Sequence, residues 1–110
     1  MQPIYLYRNE VETGDVRVDR FPEVPRALAT ITILTANFVG TVTVEATIKL
    51  EPTGSDWFVI HTETFPTFVT QEEKKRNRAV NVAGRFISMR ATVTKDEGHP
   101  FGIVDRVTVI

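Results

Sequence analysis

The side chains here whose types suit chemistry are two histidines, three acidic pairs, a serine–aspartate step and a short basic run. His61 and His99 fall in different predicted elements, and neither has a second histidine or a carboxylate at a recognised metal-ligand spacing. A strand-face role for His61 and a loop role for His99, before Pro100, are expected. The acids pair as Glu10 with Glu12, Glu72 with Glu73 and Asp96 with Glu97. Glycoside hydrolysis needs two carboxylates facing each other across a cleft, and neighbours on surface loops do not supply that geometry. Asp96-Glu97-Gly98 lacks the longer alternation of acids found in calcium loops. Ser55 precedes Asp56 without a Gly-x-Ser-x-Gly elbow, and no glycine-rich phosphate loop occurs. With no cysteine, thiolate nucleophiles, thiolate metal sites and disulfides are excluded. The residues therefore predict no catalytic activity, no metal and no cofactor.

Recognition of another molecule is the remaining class of function. The run Lys74-Lys75-Arg76 with Arg78 follows Glu72 and Glu73 directly, and no aromatic residue is interleaved to stack on bases. A solvated loop is expected there, or a charged patch that steers a partner. Thirteen basic against fourteen acidic residues leave a formal charge of −1, so no long-range attraction to nucleic acid or anionic membrane is predicted. Tyr5, Tyr7 and Trp57 carry rings that stack on sugars when exposed on one flat patch. A tryptophan that opens a strand after a tight turn also suits the end of a sandwich core. Both readings of Trp57 stand at this point, with the core plug preferred.

These residues must be held by strands. Threonine occurs fifteen times and serine only at Ser55 and Ser88, and branched Thr and Val favour a pleated surface. Thr41 to Leu50 shows the clearest alternation, with Val42, Val44, Ala46, Ile48 and Leu50 on one face and Thr41, Thr43, Glu45, Thr47 and Lys49 on the other. Pro52 and Gly54 mark a tight turn before a second strand over Trp57 to Thr64. Further strands are predicted over Ile4 to Arg8, Leu28 to Ala36, Ala79 to Val82, Phe86 to Thr94 and Ile103 to Ile110. Tyr5 and Tyr7 lie together on the face of the first strand opposite Ile4 and Leu6. Thr13-Gly14-Asp15 is a turn signal for a small hairpin joining Val11 to Val16-Arg17-Val18. Gln71 to Arg78 reads as a polar surface loop, and Lys95 to Gly102 as a turn-rich one.

About eight short strands at turn intervals near ten residues predict an all-β chain, an antiparallel two-sheet β-sandwich of jelly-roll-like form. At 110 residues it makes one globular unit with a single core. Within it, residues 1–26 read as an N-terminal hairpin or arm and 27–110 as the sandwich. Phe21-Pro22-Glu23-Val24-Pro25 removes two backbone donors and gives an extended link to that arm. Met1-Gln-Pro-Ile-Tyr has neither a basic start nor an apolar run, and no segment approaches the roughly 20 apolar residues that span a bilayer, so synthesis in the cytoplasm is expected.

Phe38-Val-Gly-Thr-Val-Thr-Val-Glu-Ala-Thr-Ile48, followed by Pro52-x-x-x-Asp56-Trp57-Phe58, resembles small β-sandwich proteins of tailed-phage virions, especially those of cyanobacterial phages. Arg90 to Thr94 and Gly102 to Ile110 are similar to the end of the same unit, so the likeness covers residues 29–110. It implies binding rather than turnover: a non-enzymatic virion structural protein, foremost a head decoration (cement) protein that sits as a trimer on the capsid lattice. Neck, baseplate and tail-fibre components share such sandwiches. On this reading the partners are capsid or other virion proteins, and the contact is made by the arm through Tyr5, Tyr7, Phe21, Pro22, Val24 and Pro25. A strand added to a neighbour's sheet edge needs little side-chain motif. The rival expectation is a carbohydrate-binding module that uses Trp57, Tyr5 or Tyr7.

Overall fold

A computed structural model describes residues 4–9, 14–18, 28–67 and 75–110. Its strands are β1 (Ile4–Arg8), β2 (Val16–Arg17), β3 (Leu28–Ala36), β4 (Gly40–Thr47), β5 (Phe58–Phe65), β6 (Lys75–Ala83), β7 (Ser88–Lys95) and β8 (Ile103–Val109), with one 3-10 turn at Gly54–Asp56. They form two four-stranded antiparallel sheets, ordered β1-β8-β3-β6 and β2-β7-β4-β5. The pairing is nested: β1 with β8, β2 with β7, β3 with β6 and β4 with β5. This is the jelly-roll order, in which one long hairpin is rolled so that β3 meets β8 and β4 meets β7.

Alternation decides what lies between the sheets. Ile31, Ile33, Val104, Val107 and Val109 from the first sheet pack against Val42, Val44, Ala46 and Met89 from the second. Phe38 and Phe65 close one end of this core, edge to face, with centroids 5.5 Å apart. At that end the chain passes close to itself. A Cβ on Gly102 would lie 2.0 Å from the Asn37 carbonyl oxygen, so only glycine fits. On the outer face of the second sheet, Thr41 stands between Thr64 and Thr94, and Thr43 between Thr62 and Thr92. That grid accounts for much of the threonine bias, since cross-strand Thr pairs suit the pleat.

Several expectations are corrected. The described part of the N-terminal region is not a free arm. β1 is an edge strand whose Leu6 is buried, and β2 lies in the opposite sheet. Residues 10–13, the other half of the expected hairpin, lie outside the described residues, as does the Phe21 to Pro25 link. β4 ends at Thr47, which is buried, while Ile48 and Leu50 are 61% and 66% exposed. The alternation in sequence continues past the last residue with a partner strand. The Lys75 to Arg78 stretch is the first half of β6 and not a loop, because Arg76 and Arg78 turn inward and find partners there.

Candidate functional site

The inward turn of Arg76 and Arg78 builds the most constrained polar cluster of the described residues. β5 and β6 are edge strands of different sheets and lie above one another along one side of the sandwich. Arg76 is buried, and its Nη2 donates to the Phe38 carbonyl at 2.9 Å and the Pro66 carbonyl at 2.6 Å. Thr35 Oγ1 reaches the Arg76 carbonyl at 3.5 Å. Arg78 Nε stands 3.8 Å from Glu63 Oε2, and both guanidinium groups lie over the Phe65 ring, at 5.5 Å for Arg76 and 5.7 Å for Arg78. His61 Nε2 is 3.0 Å from Glu63 Oε1, since two residues apart on a strand means the same face. This row of Arg76, Arg78, Glu63 and His61 closes the seam between the sheets.

A second cluster covers the outer face of the other sheet. Glu45 and Arg90 are directly opposed on β4 and β7, with Arg90 Nε 3.2 Å from Glu45 Oε1. Asp15 Oδ1 lies 3.8 Å from Arg90 Nη1, and the Arg90 guanidinium sits 4.2 Å from the Trp57 ring centroid. Trp57 is therefore half-buried on the outside of the sheet and is not the core plug expected of it. The Phe38–Phe65 pair plugs the core, at the opposite end. One face of the indole already carries a cation, which replaces the stacking partner a sugar would be.

The two tyrosines do not join Trp57. A bulge places Tyr5 opposite Thr108 and Tyr7 opposite Val107, so Leu6 is the extra residue and the alternation of β1 breaks. Tyr7 packs against the core, while Tyr5 is on the outer face under the Arg8 guanidinium, 4.8 Å away. Tyr5 belongs to the first sheet and Trp57 leads into the second. The three rings make no common platform. Phe21, Pro22, Val24 and Pro25 lie outside the described residues, as do Glu10, Glu12, Glu72 and Glu73.

The other reactive types serve turns. Asp56 accepts the Thr53 backbone N–H at 2.8 Å and its hydroxyl at 3.0 Å, and the backbone bond first, then the hydroxyl, holds the carboxyl below its ordinary range. Ser55 Oγ is 3.2 Å from Thr53 Oγ1. Asp96 Oδ1 accepts the Gly98 N–H at 2.8 Å, and the His99 N–H reaches the Asp96 carbonyl at 3.0 Å. Among the described residues no three acidic or histidine side chains gather around one point where a metal ion would sit.

The surface that alternation left unexplained is apolar. Ile48 and Leu50, in the β4–β5 connection, and Phe58 and Val59, which open β5, are all exposed. Phe58 leans on Phe86 at 6.0 Å between centroids. The signal was in the sequence: Ile48 and Leu50 extend an apolar run beyond the residues the core can accept. Comparison with family models, with curated proteins and with solved structures finds no match to this chain.

Proposed function

We propose that this chain is a non-enzymatic structural protein of a virion, foremost a head decoration protein that binds and stabilises a capsid lattice. The reading starts from the resemblance of residues 38–58, 90–94 and 102–110 to small sandwich proteins of tailed phages. The nested strand order supports it, because jelly rolls are a recurrent architecture of viral shells, although fold alone does not carry function. The observation that carries it is the exposed apolar end formed by Ile48, Leu50, Phe58 and Val59, which the sandwich does not need for its own core. Apolar surface of this kind marks contact with another protein.

Co-sedimentation with heads assembled from the capsid protein of the same genome tests the proposal. The wild-type chain is expected in the pellet, and the double variant Ile48→Ser, Leu50→Ser is expected to lose at least about tenfold in affinity, roughly 1.4 kcal/mol, with unchanged melting. Wild-type protein that stays in the supernatant with heads, or that pellets only with purified tails, rejects the head assignment.

A further inference from the structure

We infer that the β5/β6 side of the sandwich is a self-association surface, and that its occupant is a second copy of this chain, related by a two-fold axis through Thr62 and Ala79. The inference goes beyond the virion reading and does not depend on it.

Among the described strands each sheet has two edges, and an edge strand offers backbone N–H and C=O groups to any strand that fits. On the opposite side of the molecule, β1 is interrupted by its bulge and β2 is two residues long. On this side, β6 runs nine residues in unbroken register with β3, and β5 is eight residues long with its irregularity confined to Ile60. Thr62 and Ala79 are both exposed.

Antiparallel pairing of a strand with its own copy permits few registers. Opposed residues must both turn their backbone groups to the shared edge, so they must be an even number apart and one residue must sit on the axis. For β5, an axis at Glu63 opposes two carboxylates. An axis at Thr62 instead puts His61 opposite Glu63 of the second copy, and Glu63 opposite its His61. Like charges directly opposite cost stability, whereas a carboxylate opposite a ring that can donate a hydrogen bond to it does not. For β6, an axis at Asn77 opposes Arg76 to Arg78, and one at Arg78 opposes two guanidinium groups. An axis at Ala79 sets Arg78 against Val80, Arg76 against Val82 and Lys75 against Ala83, and uses the whole strand from Lys75 to Ala83.

These two choices come from different strands in different sheets, and they coincide. Glu63 meets Arg78 across the seam, and Arg76 lies over Phe65. The two strands thus run in opposite directions across the gap, and Thr62 is level with Ala79. A single two-fold axis perpendicular to the sheets passes through both. It continues both four-stranded sheets into the second copy, and every Glu63 then lies between its own Arg78 and the other copy's His61. Such a contact uses the same patch on both copies and closes on itself.

The chain has no cysteine, so single introduced thiols report the axis directly. Across the axis, opposed Cβ atoms stand about 4.5–5.5 Å apart, near the roughly 3.5–4.5 Å that a disulfide requires. Thr64 and Asn81 stand four strand positions from their symmetry mates, about 13 Å away. Under mild oxidation Thr62→Cys and Ala79→Cys are expected to form disulfide dimers on the order of tenfold faster than Thr64→Cys and Asn81→Cys, because only the first two are held at high effective concentration. Sedimentation velocity of the wild type is expected to give about twice the 12.4 kDa chain mass, and the double variant Thr62→Lys, Ala79→Lys to sediment as a monomer that still melts cooperatively, at a temperature that no longer rises with protein concentration. Equal oxidation rates for the four cysteine variants, a wild type that remains monomeric at rising concentration, or a trimer without the Thr62→Cys disulfide each overturn the inference.

Discussion

Arg76 and Arg90 are both arginines near an aromatic ring, yet the structure asks different things of them. Arg76 is buried and donates to the Phe38 and Pro66 carbonyls. Replacing it with methionine keeps most of the packing and removes both bonds, at a cost of about 1–3 kcal/mol. Lysine is not expected to recover that loss, since a single ammonium group does not reproduce a planar fork. Urea denaturation of Arg76→Met and Arg76→Lys measures both. Arg90 is partly exposed, and its contacts with Glu45, Asp15 and Trp57 are screened by water. Arg90→Ala is expected to cost only about 1 kcal/mol. Its clearer readout is optical. Trp57 is the sole tryptophan, so its emission should shift to the red when the guanidinium no longer covers the ring.

At the scale of elements, strands with an apolar alternation were legible in the sequence. β3, β4, β7 and β8 are the inner strands of their sheets, and burial on one face leaves a clean period of two. Of the edge strands, β1 was legible over its whole length and β5 within one residue, and β6 was not. β6 begins with Lys75-Arg76-Asn77-Arg78, a polar run whose inward arginines are matched by Glu63 and by backbone carbonyls that only the fold brings near. The bulges at Leu6 and Ile60 left no mark in composition, and the one at Leu6 moved Tyr7 to the core and kept the tyrosines off one face. Of the candidate site, the apolar Ile48 and Leu50 were visible but were assigned to the core, and the Glu63–Arg78 seam was not visible at all. β8 shows how much an inner strand matters. It lies between β1 and β3, and Val107 and Val109 have no exposed surface. Removal of residues 106–110 deletes both valines, worth about 1.5–3 kcal/mol each, together with most of the β1 ladder. That sum rivals the 5–15 kcal/mol typical of a domain. The truncated chain is expected to be insoluble, and soluble product with a cooperative melt would contradict this placement of β8.

For the whole molecule, the nested order sets the sequence distance between partners. Ile4 pairs with Val109, and among the described strands only β4 and β5 are neighbours both along the chain and in a sheet. A ribosome adds about 5–20 residues per second, so β1 emerges several seconds before the strand it needs. Throughout that interval Leu6 and the β1 backbone have no native partner, while the β4–β5 hairpin is already free to form. Closing loops of this length is slow in any case, because distant contacts repay their entropy late. The time of greatest danger for this protein is therefore its synthesis, and the expected cellular signature is occupancy of the nascent chain by a holding chaperone until β8 clears the exit tunnel.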